Sequence, residues 1–502
     1  MKKLLLASAS AAALFAAPAL AQSNGSDIDQ AGSDNVANVA QTGSSNTSDV
    51  DQNGFGAGAF VTQEGSDNSS IIDQEDGSTS NSINLPEDPE STVKQFGSKN
   101  TSTVTQTSIA PSFNLVANAT QNGDLNVSDI DQDANGPGFT GTLRTNVNQA
   151  DASNSTVSQS ATGDNAKNLF ATVNQSASTS AVTQSATGTQ AAGLNAVVNQ
   201  QNNSNSTINQ TIDANNAGDL NANVQQNDGA TSNVTQNAFG DGSNNADAIV
   251  SQHGASTSTI TQTFENTGAN TFSATVTQTG DDHQSTITQD DKNPLNQADS
   301  NLVATVVQSG FSNESVIDQD NKAANALVTQ AGDDNYSSIA QDGAGVTADV
   351  LQSGNENSSY VEQIGALNSS VEVNQLGSDG ISTIRQIGNA RNDTATLTQL
   401  AGSSGNASTI TQNGATPSEP AYNTASVEQG GFSNISEVTQ SGTDNEATVG
   451  QYGTGNESYL VQVGAGNSAT VTQSSDYNTS TVNQTGTGNT AIVNQGGTSP
   501  MG

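Results

Sequence analysis

The chain has 502 residues, of which 31% are hydrophobic and 4% aromatic; 49 acidic side chains face 10 basic ones, the formal net charge is -39, and Cys and Trp are absent. Such acidity excludes a general electrostatic attraction to nucleic acid or anionic membrane, whose phosphates call for Lys and Arg, and the lack of cysteine excludes a disulfide framework. Composition alone reads as disorder, so any fold has to come from patterning.

In chain order, the first element is a processing signal. Lys2 and Lys3 form a positive n-region, Leu4 to Ala17 an apolar stretch, and Ala19-Leu20-Ala21 an A-x-A cleavage site. Residues 1–21 are therefore expected to be a signal peptide, with a secreted, extracellular or cell-surface chain beginning at Gln22. No later segment approaches the roughly 20 apolar residues of a membrane span.

From Gln22 the sequence is a repeat, and repeats decide the fold. Residues 22–148 open on glutamines 11 apart, Gln30, Gln41, Gln52, Gln63 and Gln74, with Pro86, Pro89, Pro111 and Pro137 in longer insertions. Residues 149–307 lengthen the beat: Gln149, Gln175, Gln200, Gln226, Gln252 and Gln278 stand 25 or 26 residues apart, each followed nine to 11 residues later by a second glutamine. Residues 308–502 return to compact 11+11 units and end on Gln440, Gln451, Gln462, Gln473, Gln484 and Gln495, with Asn445, Asn456, Asn467, Asn478 and Asn489 five residues behind a glutamine.

Inside a unit the alternation has period two, a strand signal. In the segment from Asn445 to Gln451, one face carries Asn445, Ala447, Val449 and Gln451, and the other Glu446, Thr448 and Gly450. The first face is expected inside. In the longer units the inward row gains a larger apolar residue, as at Leu169, Ala171, Val173 and Gln175. Proline falls between units, as a ladder that needs every backbone donor requires; glycines such as Gly442, Gly453, Gly464 and Gly486 stand where a turn needs positive φ. The expected fold is all-β: one β-solenoid of about 19 strand-turn-strand coils in parallel register, about 90 Å long at the strand spacing of a sheet. Stacking would align like residues, so the glutamine and asparagine amides would hydrogen-bond along the axis.

The units closely resemble the curlin repeat of bacterial curli fibre subunits, Ser-x5-Gln-x4-Asn-x-Ala-x3-Gln. The match runs through Gln30, Asn35, Ala37 and Gln41; Gln41, Asn46, Ser48 and Gln52; Gln451, Asn456, Ser458 and Gln462; and Gln462, Asn467, Ala469 and Gln473. The resemblance implies a secreted functional amyloid, a fimbrium-like cross-β fibre for adhesion and biofilm matrix. Its partners would be copies of itself, other curlin-like subunits and the outer-membrane secretion machinery. The known fibre subunits are much shorter and carry a Gly-rich targeting segment, whereas here only Gln22 to Gly25 precede the first expected strand. The terminal coils show no capping segment, so uncapped ends that template a further copy are expected. The self-assembly ladder would consist of Gln30, Gln41, Gln52, Gln440, Asn445, Gln451, Asn456, Gln462, Asn467, Gln473, Asn478, Gln484, Asn489 and Gln495.

Other chemistry finds less footing. Thr pairs at 103/105, 259/261, 286/288, 409/411 and 470/472 suit an ice-binding face or a solvated strand. Asp27, Asp29, Asp49, Asp51 and Asp73 should stack on one face, offering oxygen ligands to Ca²⁺ or charges that restrain premature aggregation. His253 and His283 read as surface turn residues without a Cys partner. No nucleophile, base and orienter come together, so neither catalysis nor a cofactor is expected. The competing reading is a monomeric extracellular solenoid adhesin that binds polysaccharide, ice or cations through outward Thr and Asp rows.

Overall fold

The computed structural model describes residues 23–76, 90–108, 115–135, 142–164, 166–215, 218–242, 244–265, 270–291, 301–320, 323–388, 390–414 and 421–496. The expected signal peptide and the prolines of the longer connections (Pro86, Pro89, Pro111, Pro137, Pro294, Pro417 and Pro420) lie outside the described residues. Among those described, 38 strands and no helix appear, from Gly25–Ser33 to Thr490–Gln495. They alternate between two parallel sheets of 19 strands each. The strand Gly25–Ser33 pairs with Thr47–Phe55, while the intervening Val36–Ser44 pairs with Gly58–Ser66. Every later strand repeats that step, so the chain is a β-solenoid of 19 stacked strand pairs.

Pairing sets like on like. Gln440, Gln462 and Gln484 stand in one row of the first sheet, and Gln429, Gln451, Gln473 and Gln495 in one row of the second. Ala447, Val449 and Gln451 are buried while Glu446 and Thr448 are exposed, as the period-two pattern predicts. The two sheets differ at the inward position four residues before each glutamine. In the first sheet it is always serine, buried at Ser436, Ser458 and Ser480, and in the second mostly alanine, as at Ala425, Ala447 and Ala469. Small residues here let the sheets meet closely over a core built from a Val, Ile or Leu two residues before the glutamine in every strand but Leu115–Asn122, where Ala119 stands. Each such burial is worth about 1.5–3 kcal/mol, and together they form one continuous apolar row through the solenoid.

The wider middle coils carry a second apolar row, which includes Leu169, Leu194, Leu220, Phe272 and Leu302 from the second sheet. Its other half comes from the first sheet, where Ala161, Ala186, Ile212, Ala238 and Phe264 stand two residues after a glutamine. Compact coils turn on glycine at that position; here a side chain continues inward and widens the coil. Phe264 and Phe272 stack with ring centroids 4.1 Å apart.

Candidate functional site

The side chains that run the length of the molecule are the inward amides. In the first sheet, every glutamine from Gln30 to Gln462 donates Nε2 to Oε1 of the glutamine one coil further along: Gln30 to Gln52 at 2.6 Å, Gln440 to Gln462 at 2.9 Å, Gln462 to Gln484 at 2.9 Å. The second sheet does the same at Gln41 to Gln63 (2.8 Å), Gln451 to Gln473 (2.9 Å) and Gln473 to Gln495 (2.8 Å). Gln175, Gln200 and Gln226 turn the other way, so that Oε1 accepts from the backbone N of Ser180, Ser206 and Ser232. The other Nε2 hydrogen crosses the core. Gln462 donates to Glu446 O at 2.8 Å and Asn467 O at 3.1 Å, joining the end of one strand to the starts of two strands in the opposite sheet. Buried amides this fully bonded cost little desolvation and hold register.

The asparagines form a second ladder at the corners. Asn467 Nδ2 donates to Asn445 Oδ1 at 2.9 Å and to Gly486 O at 3.1 Å, and its backbone N donates to the same Oδ1. Asn456 N donates to Asn434 Oδ1, Asn478 Nδ2 to Asn456 Oδ1 at 2.9 Å, and Asn489 Nδ2 to Asn467 Oδ1 at 2.8 Å. This ladder runs opposite to the glutamine ladder, each later asparagine donating to the earlier one. Its corners need left-handed backbone: Asp444 (φ 53°) precedes Asn445, and Gly442 and Gly464 sit at φ 118° and 120°. A Cβ on Gly442 would stand 1.9 Å from Gly464 O, so the next coil's carbonyl leaves room for glycine alone.

All 14 ladder residues named from sequence therefore fall on the two inward rows or their corners. Gln52, Gln440, Asn445, Gln451, Asn456, Gln462, Asn467 and Gln473 are buried. Gln484 is 6% exposed, Gln41, Asn478 and Gln495 half-buried, and Gln30 and Asn489 exposed, because they lie in the outermost coils.

Sequence reading missed two members. His283, expected on the surface, is fully buried in an asparagine slot: its Nδ1 accepts from Asn313 N at 3.2 Å, and its Nε2 lies 3.1 Å from Thr279 O. The imidazole offers the same acceptor toward the next coil that an asparagine would, and that acceptor outweighs the preference for water. Asp393 likewise fills an asparagine slot, accepting from Asn423 N at 2.7 Å, and is buried. The signal for both was their place in the period, immediately before a strand.

The outward candidates are less regular. Thr259 and Thr261 stack on Thr286 and Thr288, but Thr103 and Thr105 stand between Ile71 and Asp73 on one side and Asp129 and Asp131 on the other, so no flat threonine plane extends through them. Asp49 and Asp51 lie over Asp27 and Asp29, and Asp73 over Asp51. Partial burial, then the neighbouring Asp51, Glu75 and Asp49, hold the Asp73 carboxyl above its usual value. Among the described residues no group of three or more acidic or histidine side chains is placed to hold a metal ion, and no helix is long and apolar enough to cross a membrane. His253 is exposed at the end of its strand.

Fold and ladders together define a class: parallel two-sheet β-solenoids held by axial amide ladders, a structural rather than a catalytic design. The family model of the Curlin associated repeat matches at residues 45–75, 347–377, 423–453 and 442–474. These stretches are curlin associated repeats, and the solenoid built on the same period runs between and beyond them. No curated protein matches it closely.

Proposed function

We propose that the protein is a secreted subunit that stacks end to end into curli-like amyloid fibres serving adhesion and biofilm matrix. The observation that carries this reading is the opposed polarity of the two ladders. At the coil of Gln30 and Gln41 the glutamine ladder ends on Oε1 acceptors with no donor among the described residues. At the coil of Gln484 and Gln495 it ends on amide N–H groups that have spent one hydrogen on Ser468 O and Thr479 O. Asn478 and Asn489 there present Oδ1 acceptors. One end face supplies what the other lacks, and both belong to coils with a 22-residue step. A second copy would continue both ladders and both sheets in the same direction, forming a cross-β fibre.

Aligned fibres grown at neutral pH should diffract near 4.7 Å along the axis and near 10 Å across it. Replacing Gln30 and Gln41, neither of them fully buried, by Lys puts charges on one end face and leaves a donor for the Oε1 atoms of Gln52 and Gln63. The variant should keep its β circular dichroism and lengthen the assembly lag at least tenfold. An unchanged lag would remove end-face stacking as the route, and a soluble particle of monomer mass at high concentration would remove the fibre itself.

A further inference from the structure

The wide middle coils carry a groove that the fibre-forming ladders do not use. It has a volume of about 580 Å³ and runs across the second sheet where its strands end. One wall is the outward row just before each glutamine, Asn148, Asn174, Asn199 and Gln225, stacked by register. The other is the outward row just after it, Ser176, Gln201, Asn227 and His253. The floor is the glutamine row from Gln149 to Gln226. Beyond the second wall the chain turns through left-handed residues, among them Ala177, Asn202 and Asn203.

Two properties point to a ligand. The wall amides are already aligned by their own bonds, Asn148 Nδ2 to Asn174 Oδ1 at 2.9 Å and Asn174 Nδ2 to Asn199 Oδ1 at 2.8 Å, so each keeps a further donor and acceptor for a guest at a fixed repeat of about 4.8 Å. And in a chain with 49 acidic residues, no residue lining this groove is acidic. We propose that the groove is a binding site for an extended neutral polysaccharide. Hydroxyl groups both give and accept hydrogen bonds and so match amide rungs in either sense. A polyanion lacks the cations it would need here. An extended peptide would need a free sheet edge to pair its backbone, while the strands beneath the groove are paired on both sides.

Native affinity electrophoresis of the full chain through gels containing dextran, laminarin, hydroxyethyl cellulose, alginate or gelatin tests this. At least one of the three neutral glycans should retard the protein. N174D with N199D on one wall, and Q201E with N227D on the other, should each weaken that retardation at least fivefold with unchanged circular dichroism. The same two charges placed far away, T472D with N494D, should leave it as in the wild type. Retardation by none of the neutral glycans, by alginate or gelatin instead, or equal loss in the distant control would overturn the assignment.

Discussion

Asp393 shows how much one atom matters in a ladder. Asparagine in its slot would bring a neutral amide; aspartate brings a carboxyl buried in the core. Burial pushes it up to about 6, against the bonds from Asn423 that favour the charged form. The unfolded carboxyl titrates near 3.8, so the folded chain holds this proton more tightly and loses stability as pH rises from about 4 through about 6. Asp393→Asn is therefore expected to stabilise the surrounding coils by about 3 kcal/mol at pH 7 and by almost nothing at pH 3.5, checked by urea unfolding at both values. The place of Asp393 in the repeat was legible in the sequence. Its burial was not, because an isolated Asp before a strand is just as well a solvated turn residue.

Coils, taken as units, explain which substitutions the repeat tolerates. Gly464 turns at φ 120° with Gly486 O where its Cβ would be, whereas Gly402 turns at φ 80° with nothing within 4 Å. Gly464→Ala must displace the next coil and is expected to cost more than about 2 kcal/mol, while Gly402→Ala pays backbone strain of about 1 kcal/mol. Hydrogen exchange of the flanking strands separates the two. In the wide coils, Phe264→Ala removes a fully buried ring stacked on Phe272 and should cost about 3–5 kcal/mol, read as a drop in thermal midpoint. Strand positions, inward faces and glycine corners could be read from the period alone, since period-two alternation and positive-φ turns are local properties. Of the second apolar row only the half at Leu169 and its equivalents could. Ala161 or Ile212 after a glutamine shows its partner only when Leu169 or Leu220 from the other sheet arrives beside it.

For the molecule as a whole, charge opposes the end-to-end assembly proposed above. A net charge of -39 repels a second copy at long range, and stacked carboxylates such as those around Asp73 add to it along the axis. Screening length falls from about 30 Å at 0.01 M salt to about 10 Å at 0.1 M. Fibre growth is therefore expected to quicken severalfold between those salt concentrations and again below pH 4, followed by light scattering or seeded growth. Growth indifferent to salt would mean that end-face contacts alone set the rate.

The amino-acid order was enough to specify a parallel solenoid, its coil number and its amide rows, because each of these follows from a local period repeated until stacking is the one way to bury the inward face. Three things waited for the coils to be stacked: the opposite directions of the Gln and Asn ladders, the burial of His283 and Asp393, and the uncharged groove across the wide coils. Each depends on which atoms of neighbouring coils face one another across a few ångströms, and residues 22 to 32 positions apart in sequence acquire that geometry only when the sheets close over the core.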